Sequence, residues 1–497
     1  MRASGILMPI FSLPSRYGIG SFSKSAYQFV DMLKKAGQKY WQILPLCPTS
    51  YGDSPYQSFS TYAGNPYFID LDQLIEEKLL TRKECQACDF GDDPQDIDYG
   101  KLYENRFKLL RKAYERANVG EDQEFEAYRR ENAWWLDDYA LFMAVKDQFD
   151  GVAWNEWAED IRLRWSNAMD YYRRELYYEI EFYSYVQFVF MKQWKKLKNY
   201  ANINGIEIIG DIPIYVAFDS ADAWANPELF QFDAENLPTA VAGCPPDGFS
   251  ADGQLWGNPL YRWDYHRETG FDWWIRRIAY CSELYDVVRI DHFRGFDEYY
   301  SIPYGDTTAR NGHWEKGPGI ALFEAAKNRL GELNIIAEDL GYITDSVKKL
   351  VADSGFPGMK VLEFAFDSRE KSDYLPYTYE KNSVVYTGTH DNETIAGWYA
   401  GLDKSDLKMC TDYMNIDRIP GKEYHWDFIR LAMLSVSDLC VIPIQDYLGL
   451  DNRARINHPS TLGTNWRWRL AKGQLSASLL KEIREMTRIS GRLQNGE

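Results

Sequence analysis

The chain has 497 residues, of which 45% are hydrophobic and 26% charged, so it can bury a sizeable core without disulfides or metals. Its 56 basic and 74 acidic side chains give a formal net charge of −18. This charge argues against a nucleic acid or an anionic membrane as partner, because both are bound mainly by clustered Lys and Arg. Phosphorylated substrates are disfavoured for the same reason, and a neutral or cationic ligand fits best.

Aromatic content and cysteine usage bear on the ligand and the compartment. The 17 Trp, 36 Tyr and 25 Phe either build a large core or line a groove for flat, weakly polar faces such as those of sugar rings. The seven scattered cysteines indicate reduced thiols and a cytoplasmic protein, and Cys85 and Cys88 form a single C-x-x-C without a second pair. Neither a secretory signal nor an apolar run of membrane-spanning length is expected, since the apolar stretch near the start is interrupted by Pro9.

The first 71 residues predict a helix, two strands and a loop. A helix over 23–36 is followed by a strand over 39–46, and a second short strand is predicted over 67–71. Between the strands, residues 49–66 are rich in Gly, Ser, Pro and Asn and carry three Tyr and a Phe, which predicts a loop that can stack on a ligand.

Residues 72–204 have a different character. Apolar residues recur at helical spacing among many charges over 101–117, 132–148 and 175–200. We expect this region to be a mainly helical insertion after the second strand.

The second half of the chain is dominated by short apolar runs without alternation, which are typical of parallel strands covered on both faces. These runs are 206–216, 286–293, 334–341, 360–364, 383–392 and 439–449. Between the third and the fourth run, Thr344 or Asp345 can begin a helix and Gly355 can end it, which predicts a βαβ unit.

Carboxylates follow many of these runs at or near their C-terminal ends: Asp211, Asp291, Glu338, Asp391 and Asp446. The C-terminal rim of a (β/α)8 barrel is where catalytic residues from several strands meet. A doubly wound sheet also binds ligands at strand C-termini, but it has no easy use for carboxylates on so many strands, and no Gly-x-Gly-x-x-Gly is present. We therefore predict an α/β protein, a single (β/α)8 TIM barrel domain over 1–497 with large helical and loop insertions.

The rest of the chain is assigned around that barrel. Residues 217–285 are predicted to be an excursion on the rim, and they contain a Gly-, Pro- and Asn-rich substrate loop over 243–261 that is too rich in these residues for regular structure. An amphipathic helix over 476–488 is expected to close the barrel. The roughly fifty residues after the last strand leave no room for a C-terminal β-sandwich.

The side chains at three strand ends suit glycosidic-bond chemistry. Arg289 and Asp291 project to the same face of their strand, so the guanidinium is expected to lower the pKa of Asp291 and keep a nucleophile ionised. Glu338, at the rim of an apolar strand near other carboxylates, is expected to have a raised pKa and to act as a general acid and base. With Asp391 these groups match the equipment of a retaining glycosidase, although each alone is better explained by a salt bridge or a helix cap.

Other chemistries lack their signatures. The sequence contains no Gly-x-Ser-x-Gly elbow, no P-loop and no His-Glu-x-x-His. With six His in the whole chain, a His-rich metal site is not expected. His292 and His390 lie beside rim carboxylates, where hydrogen bonding to substrate hydroxyls is the better interpretation.

Four motifs resemble the conserved regions of the α-amylase clan: DIPIYV (211–216), RIDHFRGF (289–296), IAEDLG (336–341) and THDN (389–392). More narrowly, the chain resembles the 4-α-glucanotransferases called amylomaltases or disproportionating enzymes. That closer resemblance rests on GILMPIFSLPSRYGIGSF (5–22), on residues 53–71, on PPDGFSADGQLWGNPLY (245–261) and on GTNWRWRL (463–470). It extends over nearly the whole chain in the expected order.

The resemblance implies a role for each matched residue. Asp291 would be the nucleophile, Glu338 the acid/base and Asp391 the stabiliser of the transition state. The implied substrate-binding residues are Asp211, Arg289, His292 and His390 around the attacked glucose, Tyr56 and Trp256 against neighbouring sugars, and Asn465 nearby. No cofactor and no metal are implied.

The implied activity is transfer of α-1,4-glucan segments from one glucan to the 4-hydroxyl of another glucan or of glucose, with retention of configuration. Maltooligosaccharides and fragments of starch or glycogen would be the substrates. An α-glucan hydrolase with the same catalytic residues and a non-catalytic glucan-binding protein are the alternatives. The presence of all three carboxylates disfavours the second of these. A monomer and a weak homodimer are equally compatible with the sequence.

Overall fold

The computed structural model describes residues 2–246, 250–341, 343–417 and 423–494. Its strands in chain order are β1 (Ala3–Leu7), β2 (Tyr40–Gln42), β3 (Glu207–Pro213), β4 (Ala240–Cys244), β5 (Gln254–Pro259), β6 (Val287–Asp291), β7 (Glu298–Pro303), β8 (His313–Lys316), β9 (Ile335–Ala337), β10 (Gly358–Val361), β11 (Ser383–Tyr386) and β12 (Leu439–Pro443). Within the described residues, eight parallel strands close into a barrel in the order β1-β2-β3-β6-β9-β10-β11-β12, with β12 paired to β1. The predicted (β/α)8 fold is confirmed.

The inside of the barrel is filled by large apolar side chains from nearly every strand, as in other packed barrels of this type. They form one buried cluster: Leu7, Ile209, Ile336, Met359, Val361, Val384, Tyr386 and Val441. Such filling explains why the strands are apolar without alternation, since one face meets this cluster and the other meets the surrounding helices.

The helices surround this barrel and also build the segment between β2 and β3. They are α1 (Lys24–Lys35), α2 (Leu71–Glu76), α3 (Arg82–Gln86), α4 (Tyr99–Arg116), α5 (Gln123–Gln148), α6 (Glu159–Arg162), α7 (Ser166–Glu175), α8 (Tyr177–Ile203), α9 (Ala221–Ala225), α10 (Trp263–Glu268), α11 (Asp272–Leu284), α12 (Ile320–Leu330), α13 (Asp345–Ser354), α14 (Ile395–Gly401), α15 (Lys404–Met414), α16 (His425–Leu434), α17 (Ile444–Tyr447) and α18 (Ala477–Ile489). The predicted helices that correspond to α1, α4, α5, α8 and α18 are confirmed, as is the βαβ unit β9-α13-β10. None of the helices in the described ranges is long and apolar enough to cross a bilayer.

The predicted strand over 67–71 is wrong. Residues Pro66–Phe68 form a 3-10 turn, and Asp70 caps α2 by accepting hydrogen bonds from the backbone N–H groups of Asp72 and Gln73. A short apolar run cannot distinguish a strand from a buried helix start, and here the Asp cap decides. The barrel's first strand, β1, lies instead in the opening segment, for which no strand was predicted.

A second sheet rises from the rim and was not predicted. Strands β4, β5, β7 and β8 form an antiparallel sheet in the order β5-β4-β7-β8. The expectation that 243–261 lacks regular structure is therefore wrong for Gln254–Pro259. This segment pairs antiparallel with β4, and an irregularity in the pairing between Val241 and Gly243 accommodates it. Residues 247–249 of that loop lie outside the described residues.

The C-terminal segment is tied to the barrel by a buried guanidinium. Arg492 is fully buried and donates hydrogen bonds to the carbonyls of Ala3 (2.9 Å), Met433 (2.9 Å), Ser437 (2.9 Å) and Asp438 (3.1 Å). These carbonyls flank β1 and β12, so the residues after α18 connect the first and the last strand of the barrel.

Arg492→Met should destabilise the fold, because the carbonyls lose their donors while staying buried. We expect the free energy of unfolding to fall by about 3 kcal/mol or more, as for other buried charge-assisted hydrogen bonds. Denaturant unfolding followed by tryptophan fluorescence measures it. The matched control is Arg488→Met, which removes an exposed arginine of α18. Equal stability of the two variants would contradict the prediction.

Candidate active site

Four of the five carboxylates predicted at strand ends lie on one rim of the barrel. Asp211 is within β3 and Asp291 is the last residue of β6. Glu338 directly follows β9, and Asp391 lies in the segment after β11. Because the strands are parallel, their C-terminal ends meet at the same rim, and the side chains converge there.

A buried arginine connects two of these carboxylates. Nη1 of Arg289 donates to Oδ1 (2.8 Å) and Oδ2 (2.7 Å) of Asp211 and to Oδ1 of Asp291 at 3.0 Å. Asp211 and Arg289 are register partners on adjacent strands and are 0% and 2% exposed. The guanidinium is therefore held in place by Asp211 and presents the same nitrogen to Asp291.

The pKa of Asp291 is raised to about 6. Burial is the main cause, and the charges of Asp211 and Asp391 add to it, while Arg289 lowers the pKa. The expectation of a lowered pKa is thus wrong in its net direction. The arginine acts as expected, but its charge is shared with Asp211 and is outweighed by the loss of solvent around Asp291.

The pKa of Glu338 is raised further, to about 8, as predicted. Burial and the charge of Asp291 raise it, whereas Arg289 and two backbone N–H groups lower it. These N–H groups belong to His292, 2.6 Å from Oε2, and to Leu340, 2.9 Å from Oε1. At neutral pH the coupled pair of Asp291 and Glu338 therefore shares one proton, which is held by Glu338, the group with the higher pKa.

The turn after β6 places the backbone of Phe293 against Glu338 and the imidazole of His292 against Trp256. His292 has a left-handed backbone with φ of 53°, and the following N–H, of Phe293, donates to the carbonyl of Glu338 at 3.0 Å. The imidazole of His292 meets Trp256 edge to face, with ring centroids 4.8 Å apart. Burial lowers the pKa of His292 to about 3, so the ring is neutral and can both donate and accept a hydrogen bond.

Tyr56 and His390 form a stacked pair beside Asp211 and Asp391. Their ring centroids are 5.0 Å apart with planes at 15°. The hydroxyl of Tyr56 donates to Oδ2 of Asp211 at 2.8 Å, and Nε2 of His390 is 3.4 Å from Oδ1 of Asp391. The pair thereby joins the loop over 49–66 to two of the rim carboxylates.

Two residues that contact Asp391 were missed in the sequence. Nδ2 of Asn457 donates to Oδ1 of Asp391 at 2.6 Å, and Arg455 donates to the backbone carbonyls of both Asp391 and Asn457, each at 2.7 Å. They come from the loop after β12, where no strand end or motif marks them. Trp466, which packs against Tyr56, was also missed, although it lies within the quoted GTNWRWRL motif.

Asn465 and Asp446 have surroundings that differ from those of the other predicted residues. The amide of Asn465 accepts from the N–H of His458 and donates to the carbonyl of Thr461, so it closes an exposed turn over 458–465. Asp446 is buried and accepts from the hydroxyl of Thr387 and the N–H of Ile395. It supports the segment that carries Asp391 rather than facing the rim.

No group of three or more His, Cys, Asp or Glu side chains within the described ranges is arranged to hold a metal ion. A protonated carboxyl beside an ionised one, bordered by aromatic rings at the C-terminal rim of a barrel, is the equipment of enzymes that cleave and form glycosidic bonds with retention.

Comparisons with known proteins narrow this class. The family described as 4-alpha-glucanotransferase, glycoside hydrolase family 77, matches residues 8–475. A 4-alpha-glucanotransferase of Clostridium butyricum is 49% identical over 98% of this chain and 100% of its own length. One of Streptococcus pneumoniae is 50% identical over 99% of this chain and 98% of its own length. The solved structure of an amylomaltase from Streptococcus agalactiae in complex with acarbose has a TM-score of 0.96, at 44% identity, over 99% of this chain and 100% of that one.

The chain belongs to the 4-alpha-glucanotransferase family. Its activity is transfer of α-1,4-glucan segments, and neither plain hydrolysis nor binding without catalysis is favoured.

Asn457→Ala should lower kcat by about tenfold to a hundredfold, because the carboxylate of Asp391 loses the donor that fixes its orientation. Initial rates with maltotriose measure the effect. Asn311→Ala, which removes an exposed amide bonded to Asp306, is the control and should keep the wild-type rate. A folded Asn457→Ala enzyme with unchanged kcat would show that Asp391 does not depend on this contact.

Proposed function

We propose that the rim performs a two-step transfer in which Asp291 is the nucleophile, Glu338 is the general acid and then the base, and Asp391 stabilises the transition state. The observation that carries this proposal is the geometry of the buried rim: one nitrogen of Arg289 donates to both Asp211 and Asp291, and Glu338 accepts from the N–H groups of the turn that follows Asp291 while the charge of Asp291 raises its pKa. At neutral pH this gives a group that can attack and a group that can donate a proton.

In the first step, an oxygen of Asp291 attacks C1 of an α-1,4-linked glucose and the bond from C1 to the glycosidic oxygen breaks. Glu338 gives its proton to that oxygen, so the reducing-end fragment leaves as an alcohol. A glucosyl ester on Asp291 and an ionised Glu338 remain. Asp391, on the neighbouring side of the rim, favours the positive charge that develops on the sugar ring.

In the second step, Glu338 takes the proton of an acceptor's 4-hydroxyl, whose oxygen attacks C1 and displaces Asp291. Two inversions at C1 restore the α configuration. The loss of the negative charge on Asp291 in the ester lowers the pKa of Glu338, since that charge is one of its causes. The same glutamate is thereby converted from an acid into a base.

The substrate-binding residues are proposed to be those that surround these carboxylates: Tyr56, Asp211, Trp256, Arg289, His292 and His390. The neutral imidazole of His292 and the carboxylate of Asp211 suit sugar hydroxyls, while the rings of Tyr56 and Trp256 suit the C–H faces of sugars. Asn465 contributes indirectly, by shaping the turn over 458–465.

Transfer exceeds hydrolysis only when the acceptor site binds sugar and excludes water. The segments proposed to do this are 51–62, which carries Tyr56, and 243–261, in which β5 carries Trp256 to the ring of His292. The ligands are proposed to be maltooligosaccharides, starch or glycogen fragments, and glucose as acceptor. A cytoplasmic location and a weak homodimer stay predictions from the sequence.

The purified protein incubated with maltotriose should form glucose together with maltopentaose and longer chains, which chromatography resolves. Asp291→Asn should lower this rate at least about a thousandfold, because no ester can form. Asp264→Asn, at a carboxylate whose side chain is 93% exposed, is the control and should be active. Products limited to glucose and maltose would identify a hydrolase and contradict the water-excluding role of the two segments.

The pH profile of kcat/KM should be bell-shaped. The rate rises as the pH passes about 6, where Asp291 loses its proton, and falls as the pH passes about 8, where Glu338 loses its own. Initial rates with maltotriose from pH 4.5 to 9.5 test this, with circular dichroism at each pH as the control for folding. A rate that keeps rising to pH 9.5 would exclude Glu338 as the proton donor.

A further inference from the structure

Trp466 lies against the stacked pair of Tyr56 and His390. Its ring centroid is 5.8 Å from that of Tyr56 and 5.9 Å from that of His390, and the planes are tilted by 44° and 39°. The residue is 5% exposed, so its ring is enclosed by protein on nearly all sides. The pair therefore has a bulky, buried neighbour that touches both of its members.

The backbone of Trp466 adopts an uncommon conformation to place the ring there. Its φ is 64°, in the left-handed region that bulky residues rarely occupy. Two hydrogen bonds hold this geometry: the N–H of Trp466 donates to the carbonyl of Ile456 at 2.7 Å, and the hydroxyl of Tyr99 donates to the carbonyl of Trp466 at 2.7 Å. Such strain persists only where the surroundings fix it, and it is concentrated at functional sites.

The segment that carries Trp466 is anchored outside the rim. The guanidinium of Arg467 forms an ion pair with Asp96, with Nε 3.0 Å from Oδ1, and the hydroxyl of Ser12 donates to the carbonyl of Trp468 at 2.8 Å. These partners belong to the region between β2 and β3 and to the opening segment. The position of the indole is therefore set by the scaffold before any sugar binds.

We propose that Trp466 is a positioning residue of the reaction, which sets the tilt of the pair formed by Tyr56 and His390. That tilt fixes the hydrogen bond of Tyr56 to Asp211 and the 3.4 Å approach of His390 to Asp391. The proposal rests on the proposed roles of the rim carboxylates, and it adds a residue that acts on them without touching any of the three. A displaced pair would misplace the groups around the attacked sugar, which lowers the rate more than it weakens binding.

The first test compares Trp466→Ala and Trp466→Phe with Trp468→Phe. Trp468 is the matched control because it is 6% exposed and belongs to the same segment. With maltotriose, Trp466→Ala should lower kcat at least about tenfold while KM changes less than about threefold, and Trp466→Phe should recover part of the loss. Trp468→Phe should keep a kcat within about twofold of the wild type. Its thermal unfolding midpoint should shift by about as much as that of Trp466→Phe.

The second test is a double-mutant cycle with Tyr56→Ala. A purely structural role of Trp466 would lower kcat by the same factor with and without Tyr56. If Trp466 acts through Tyr56, then Trp466→Ala in the Tyr56→Ala background should change kcat less than about twofold. Equal losses in both backgrounds, or an unchanged kcat in a folded Trp466→Ala enzyme, would overturn the proposal. Where Trp466→Ala does not fold, Trp466→Phe and Trp466→Leu complete the same cycle. Failure of the carboxylate roles is recognised separately, as residual transfer by Asp291→Asn.

Discussion

The buried guanidinium of Arg289 is the constraint around which the rim is organised. A charge inside a barrel is stable only with a partner, and Asp211 on the adjacent strand supplies two acceptors at 2.8 and 2.7 Å. A further contact joins Nη1 of Arg289 to Oδ1 of Asp291 at 3.0 Å. It stabilises the ionised form of Asp291 and so offsets part of the rise in pKa that burial causes. The charge of Asp291 then raises the pKa of Glu338. One arginine thus influences the pKa of both proposed catalytic groups, Asp291 and Glu338, and the register of β3 against β6 fixes its place.

The hydrogen bonds around the rim come from loops, whereas the carboxylates come from strand ends. Asn457 and Arg455 reach Asp391 from the loop after β12, and Tyr56 reaches Asp211 from the loop after β2. Strands fix positions with the precision of the barrel, and Asp291, the proposed nucleophile, is the last residue of β6. Loops can differ in length and still present a ring or an amide, which suits residues that must fit a long and variable glucan.

The sequence predicted what depends on local pattern. Apolar runs located the barrel strands other than β1, and Asp or Glu near the ends of several runs placed the three carboxylates on one rim, because strand direction alone brings such ends together. It failed where long-range pairing decides: β4 pairs with β7 (Glu298–Pro303), and β5 pairs with β4. It also failed for the predicted strand over 67–71, where Asp70 caps a helix. The pKa of Asp291 was misjudged because burial cannot be read from its neighbours in sequence. Asn457 and Trp466 were missed since only the fold brings their loop to the site.

The pairing of β1 with β12 determines when the barrel can close. Ala3 pairs with Leu439, and Arg492 binds the carbonyl of Ala3, so the first strand finds its last partners almost a full chain length away. During synthesis from the N-terminus, β1 can pair with β2 early, but its other edge stays open until β12 has left the ribosome. Contacts of such long sequence separation make folding slow and leave a strand edge exposed meanwhile. The ring topology that gathers the carboxylates on one rim is thus completed only after β12 has been synthesised.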